Sequence, residues 1–257
     1  MLTAILHGKA GRVGLDGQSL SWREVFRRRE DLLSAVLFGR MPYLSDQAQA
    51  HFATLLLGQE IAQALGPLED IAFWPKLGKE GAGFVEPDVV IEYTQHRILV
   101  EVKPPAGGKQ SLAQWRVELQ ALYLQDDDSK QTVLLALGNN PARWKQWVAT
   151  LQSEYADRQL RVVCREWKAL HKDLVAHSTR SQGRDARVYD EWLQAFRLFG
   201  MSVEALPFRD LLAPALRLGD LHCALDALRC WPACLDGRGM GVDIRITAVT
   251  TDEGMQP

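Results

Sequence analysis

Two short apolar runs in the middle of the chain, at residues 89–91 and 98–100, constrain the fold most strongly. A polar, turn-forming segment at residues 94–96 separates them. This spacing predicts two β-strands joined tightly as a hairpin. The rest of the chain is interpreted around the stretch 84–124, which contains both strands and the helix predicted after them.

Charged residues stand at the ends of both predicted strands. Asp88 precedes the first strand, and Glu101 and Lys103 close the second. Because strand side chains alternate between faces, Glu101 and Lys103 share one face and Val102 points into the opposite layer. Buried charges are costly unless they are paired, bound to a metal or opened to water. A salt bridge at a strand end and a metal site are therefore both open interpretations.

In the second interpretation, Asp88 and Glu101 supply oxygen ligands for Mg²⁺ or Mn²⁺, and Lys103 lies beside a metal-bound water. Mg²⁺ binds through one or two carboxylates, several waters and substrate phosphate. Such a metal lowers the pKa of its water and neutralises charge on phosphoryl oxygens, while a lysine orients the water or stabilises the transition state. The chemistry indicated is phosphodiester hydrolysis without a covalent intermediate.

The order Pro87-Asp88, twelve residues, then Glu101-Val102-Lys103 resembles the signature of the PD-(D/E)XK nucleases. This superfamily contains restriction enzymes, Holliday-junction resolvases, transposon-end nucleases and many phage-defence nucleases. The resemblance covers the middle of the chain. It implies metal-binding acids at Asp88 and Glu101, a catalytic lysine at Lys103 and a metal-binding backbone carbonyl at Val102.

The resemblance also implies two helix-borne residues. These nucleases often add an acid from the first helix, for which Glu30 is the candidate and Glu60 the competitor. The helix after the motif often turns a glutamine toward the site, and here Gln114 matches best and Gln120 second. By helical spacing, Gln114 and Glu118 lie on one face at i and i+4.

The surrounding pattern predicts an α/β protein with a central mixed β-sheet flanked by helices, which suits the restriction-endonuclease-like sandwich. We divide the chain into an N-terminal strand and turn segment (1–20), a nuclease core (21–165) and a mostly helical C-terminal extension of unknown role (166–257). Helices are predicted at 21–37, 46–65, 111–125, 141–151, 167–177 and 186–199, and further strands at 69–77, 132–137, 160–164 and 242–246.

Composition limits the classes of protein to which the chain can belong. The chain has 257 residues, 47% hydrophobic and 24% charged, which is ordinary for globular proteins. With a net charge of −2, the chain as a whole is not basic. DNA contacts would therefore come from a local basic patch and from the metal. The lack of a long apolar run or a secretory signal predicts a cytoplasmic protein with no membrane span. The four cysteines are interpreted as free core thiols, with zinc binding by the late Cys/His group as the alternative.

We therefore predict a Mg²⁺-dependent DNA endonuclease, acting in phage defence, recombination or transposition. Expected partners are DNA, other proteins of a multi-subunit system and a second copy in a homodimer. The alternative is a non-catalytic subunit that retains the fold to bind nucleic acid or protein, and a third interpretation is a structure- or RNA-directed nuclease. Intact Asp88, Glu101 and Lys103 favour an enzyme, and we expect Asp88 and Lys103 to face solvent at strand ends.

Overall fold

The computed structural model of the chain describes residues 2–15, 17–79, 83–105, 107–125 and 130–201. A five-stranded β-sheet lies at its centre. In chain order the elements are α1 (Leu2–Leu6), β1 (Arg12–Leu15), β2 (Gln18–Ser21), α2 (Trp22–Arg28), α3 (Glu30–Phe38), α4 (Asp46–Leu57), α5 (Gln59–Ala64), β3 (Leu68–Phe73), β4 (Leu77–Lys79), β5 (Gly83–Val85), β6 (Val89–Tyr93), β7 (His96–Val102), α6 (Leu112–Gln125), β8 (Gln131–Leu137), α7 (Trp144–Glu154), β9 (Arg161–Arg165), α8 (Trp167–Ser178) and α9 (Gly183–Leu198).

The central sheet has the order β3-β6-β7-β8-β9 and is mixed, as predicted. Strands β3, β6 and β7 run antiparallel, whereas β7, β8 and β9 run parallel. The predicted hairpin is confirmed, with Val89 opposite Val100 and Val90 opposite Leu99. This register places the start of β6 and the end of β7 at the same edge of the sheet.

Helices cover both faces of the sheet, so the predicted layered arrangement is confirmed. On β8, Val133 and Leu135 belong to one apolar cluster and Leu134 to the other, as expected for a strand buried on both sides. The first cluster includes residues of α3, α4, α8 and α9, and the second includes residues of α6 and α7. The final strand, β9, is a half-buried edge rather than the fully buried strand that its apolar composition predicts.

The N-terminal segment differs from its prediction. Residues Leu2–Leu6 form a helix rather than a strand, because the apolar side chains of this short segment, including fully buried Ile5, pack on the core that α2 and α9 share. The predicted strands of this region are the β1–β2 hairpin. The capping box that opens α2 is confirmed, since the Ser21 side chain accepts from the Glu24 N–H and the Glu24 carboxylate accepts from the Ser21 N–H.

Two helices predicted as continuous are each divided. Arg29 adopts an extended conformation (φ −117°, ψ 111°) between α2 and α3. Gly58 lies between α4 and α5 with a φ of 86°, a conformation that glycine reaches without the steric cost of a Cβ. The first of these breaks matters for the site, because it makes Glu30 the first residue of α3.

The C-terminal helices predicted at 167–177 and 186–199 are confirmed as α8 and α9, and they pack into the first apolar cluster through Leu170 and Trp192. The predicted strand at 242–246 and the Cys/His group lie outside the described residues. Within the described ranges, every helix is too short or too polar to cross a bilayer.

Candidate active site

The edge of the sheet where β6 begins and β7 ends brings the motif residues together. Asp88 directly precedes β6, and its Oδ2 accepts a hydrogen bond of 2.7 Å from the Val102 N–H. Glu101, the penultimate residue of β7, forms an ion pair through its Oε1 with the Nζ of Lys103. The antiparallel register of the hairpin is the cause, since it places the two charged strand ends side by side.

Helix α3 adds a second carboxylate to the lysine. The Oε2 of Glu30 lies 3.4 Å from the Nζ of Lys103. The competing candidate, Glu60, instead forms an exposed ion pair with Arg161 and does not join this group. The structure therefore brings Glu30, and not Glu60, to the motif residues.

Helix α6 contributes an amide. The Nε2 of Gln114 donates to Glu101 Oε1 at 2.8 Å and to Glu118 Oε1 at 2.9 Å. The second candidate, Gln120, is exposed on another face of α6. Of the two glutamines, Gln114 is thus the one in contact with the proposed metal acid.

Sequence reasoning missed the part played by Glu118. Its side chain is buried, at 3% exposure, and its Oε2 has no hydrogen-bond donor among the described residues. Its i, i+4 relation to Gln114 is visible in the sequence, but that spacing does not say which face of α6 packs against the sheet. Because its Oε1 accepts from the Gln114 amide, Glu118 holds that amide with its N–H groups toward Glu101.

The expectation that Asp88 and Lys103 face solvent is wrong, since they are only 6% and 8% exposed. The chain after β7 turns back over the lysine, as its Pro- and Gly-rich sequence predicts, but it also covers the site. A Cβ on Gly108 would lie 3.1 Å from the Lys103 Cδ. Asn139 fixes this turn from the end of β8, because its Nδ2 donates to the carbonyls of Pro104 (2.6 Å), Gly107 (2.8 Å) and Gly108 (3.2 Å).

The backbone beneath the site is held by buried side chains of neighbouring elements. The indole N–H of Trp167 donates to the Lys103 carbonyl at 2.6 Å. The Nε2 of Gln110 donates to the carbonyls of Glu101 and Gly138, both at 3.2 Å. These contacts fix the end of β7, so the carboxylate and the ammonium project from a rigid strand.

Burial dominates the electrostatics of the site. Loss of hydration, followed by the charge of Glu101, raises the pKa of Asp88 to about 7. Burial also raises the pKa of Glu101, with the nearby Glu118 adding to the effect and Lys103 opposing it. Burial raises the pKa of Glu118 as well. Strongly shifted carboxylates gathered at one sheet edge are typical of functional sites.

Lys103 behaves in the opposite way to a lone buried lysine. Burial lowers its pKa, but the ion pair with Glu101 and the charges of Glu30 and Asp88 more than compensate, so the net pKa is raised. The side chain is therefore a cation at neutral pH.

The carboxylate oxygens of the site are ligands of the chemical kind that a hard divalent cation prefers. Among the described residues, no three His, Cys, Asp or Glu side chains are arranged to hold a metal ion by themselves. Mg²⁺ does not require three, since one or two carboxylates with waters and a substrate phosphate suffice. Asp88 and Glu101 supply such a set, and with Glu118 they leave more buried carboxylates than the single ammonium of Lys103 balances. The role predicted for the Val102 carbonyl stays a prediction.

Comparisons of the chain with protein-family models, with curated proteins and with solved structures find no match. The interpretation of the site rests on its own geometry and on the resemblance of its motif.

Proposed function

We propose that this chain is a metal-dependent nuclease of the PD-(D/E)XK type that hydrolyses phosphodiester bonds in DNA with Mg²⁺ or Mn²⁺. One observation carries the proposal: Asp88, Glu101 and Lys103, the three side chains of the motif, converge at one edge of a mixed α/β sheet. The restriction-endonuclease-like fold, and a setting in phage defence, recombination or transposition with protein partners or a second copy, belong to the same proposal.

Each residue has a defined task in this mechanism. Asp88 and Glu101 would hold the cation, which would supply an activated water and neutralise charge on the phosphoryl group. The Val102 N–H orients Asp88, and the Gln114 amide orients Glu101. Outer hydrogen bonds of this kind fix the direction of metal-ligating carboxylates.

Lys103 acts as a charge rather than as a base. Its raised pKa keeps the ammonium protonated at neutral pH, so it has no lone pair with which to accept a proton from water. A fixed cation at this position stabilises the negative charge that develops on the phosphoryl group in the transition state. Glu30, at 3.4 Å from the same ammonium, restrains it or would add a ligand oxygen to the cation.

One observation favours the alternative, a non-catalytic subunit that binds nucleic acid or protein. The motif residues are nearly buried, and Lys103 already neutralises Glu101, as a purely structural ion pair would. Against this, a structural pair needs one acid, whereas this site buries two further carboxylates, Asp88 and Glu118.

Cleavage assays with plasmid, linear, branched and single-stranded DNA, and with RNA, test the proposal with and without Mg²⁺. We expect metal-dependent cleavage by the wild type and none by Asp88→Ala. A matched pair of variants tests the helix-borne acid: Glu30→Gln should raise the Mg²⁺ concentration needed for half-maximal cleavage, whereas Glu60→Gln should not. Equal cleavage by wild type and Asp88→Ala would contradict the nuclease proposal. Metal-independent DNA binding without cleavage would support the non-catalytic subunit.

A further inference from the structure

Trp74 occupies a strained position beside the site. It follows the last residue of β3, and its backbone N–H donates to the Asp88 carbonyl at 3.1 Å. Its φ is +47°, in the left-handed region. Among the described residues, only Trp74, Asn139 and Gln159 have a positive φ without being glycine. Asparagine visits this region readily, whereas for a bulky residue it is a genuine outlier.

The backbone conformation does not favour a tryptophan at this position. The residue is 40% exposed, so part of the indole is accessible to a ligand, and its ring contacts that of the adjacent Phe73, at 5.6 Å between centroids. Glycine would adopt the same backbone conformation without strain. The backbone of Trp74 therefore carries a cost to the free protein, and such strain clusters at ligand-binding and active sites.

Trp74 lies next to Asp88 at the edge of the sheet. Phe73 pairs with Val89, so the residue after Phe73 lies beside the residue before Val89, which is Asp88. This exposed aromatic residue is thus bonded through its backbone to Asp88, one of the carboxylates that the proposed function assigns to the scissile phosphate. The chain has a net charge of −2, and its site is rich in carboxylates, so attraction to phosphate alone is a weak means of holding a strand here.

Stacking on a base needs no net positive charge, and it tolerates any base because every base has a π-face. The bases of an intact duplex are already stacked on their neighbours and unavailable to a side chain at the surface. We propose that Trp74 stacks on an unpaired nucleobase next to the scissile phosphate, so that the substrate is a nucleic acid with a single-stranded segment, such as a flap, bubble or junction, rather than an intact duplex. This inference rests on the proposed nuclease function.

Binding by fluorescence anisotropy tests the inference, in an Asp88→Asn background with Mg²⁺ so that the substrate is not consumed. The probes are a labelled single strand, the same sequence as a perfect duplex, and that duplex with an unpaired flap. Adding Trp74→Gly should weaken binding to the single strand and the flap about 5- to 150-fold, the range expected for one lost stacking contact, and leave duplex binding unchanged. Trp74→Phe should retain most of the affinity.

A thermal melt distinguishes this role from a structural one. Glycine relieves the strained backbone but removes a partly buried indole, so the two effects oppose each other and Trp74→Gly should remain folded at the temperature of the binding assay. Tyr43→Ala is the control, since Tyr43 is also an exposed aromatic residue, at 57%, and lies outside the site. It should bind all three probes as its parent does.

Three results would overturn the inference: unchanged single-strand and flap binding by Trp74→Gly, an equal loss for the perfect duplex, or a loss that comes with unfolding of the variant at the temperature of the binding assay. In each case the nuclease proposal stands if the wild type cleaves with Mg²⁺. A wild type that neither binds nor cleaves any probe would remove both.

Discussion

Replacing Asp88 by Asn tests whether the buried charge of Asp88 lowers the stability of the folded protein. In the folded protein, burial and the neighbouring Glu101 raise the pKa of Asp88 to about 7. Asparagine has nearly the same shape, and its Oδ1 can still accept the hydrogen bond from the Val102 N–H. The substitution therefore removes the buried charge and keeps the packing.

The pKa of Asp88 sets the size and pH range of the effect. Because the folded pKa lies above the unfolded one, the contribution of Asp88 to the free energy of unfolding is fully present below about pH 4 and is lost as the pH rises through about 7. The difference between an ordinary aspartate pKa and one of about 7 corresponds to about 4 kcal/mol. We expect the free energy of unfolding of Asp88→Asn to exceed that of wild type by about 2–4 kcal/mol at pH 8 and to be nearly equal to it at pH 4.

Urea denaturation of both proteins at pH 4, 6 and 8, with a chelator present, measures this difference. Asp70→Asn serves as the control, because Asp70 is exposed on β3 and its substitution should change little. Adding Mg²⁺ at pH 8 should stabilise the wild type and not Asp88→Asn, since a ligand that binds the folded state stabilises it. A variant no more stable than wild type at pH 8, or a difference that does not vary with pH, would refute the electrostatic reasoning.

Two other substitutions probe the partners of Glu101. Lys103→Met leaves Glu101 buried without its cation and should lower the free energy of unfolding by about 3–5 kcal/mol at pH 8. Part of this loss should be recovered at pH 5, where Glu101 is protonated, in the same denaturation assay. A loss that does not depend on pH would show that the ion pair is unimportant. Glu118→Gln keeps an acceptor for the Gln114 amide, so it should bind Mn²⁺ nearly as wild type does in a calorimetric titration. Glu118→Met releases that amide and should weaken Mn²⁺ binding about 10- to 100-fold. Equal losses in the two Glu118 variants would mean that the charge of Glu118 matters and its orienting hydrogen bond does not.

The sequence was sufficient for the centre of the fold. Two short apolar runs on either side of a turn-forming segment predict the hairpin, and the antiparallel pairing of Val89 with Val100 then requires that Asp88 and Glu101 meet. The i, i+4 spacing of Gln114 and Glu118 predicts correctly that they share a face of α6. These features depend on local periodicity, which is visible in a single chain.

Features that depend on distant contacts could not be derived from periodicity. The resemblance named Glu30 ahead of Glu60, but nothing in the apolar pattern indicates the extended conformation of Arg29 that makes Glu30 the first residue of α3. The burial of Lys103 depends on a turn that Asn139 holds from the end of the next strand. The local sequence indicates that the chain turns after Lys103, but it does not indicate that this turn covers the lysine side chain.

The charge balance of the site bears on the two interpretations that the sequence left open, a salt bridge and a metal site. A salt bridge at a strand end is complete with one carboxylate and one ammonium, as in Glu101 and Lys103. Here Asp88 and Glu118 are buried as well, and each raises the free energy of the folded state when it is ionised. Neither forms the ion pair with Lys103: Asp88 accepts from the Val102 N–H, and Glu118 accepts from the Gln114 amide. We propose that a divalent cation held by Asp88 and Glu101 would compensate part of this buried negative charge, which the single ammonium of Lys103 does not balance.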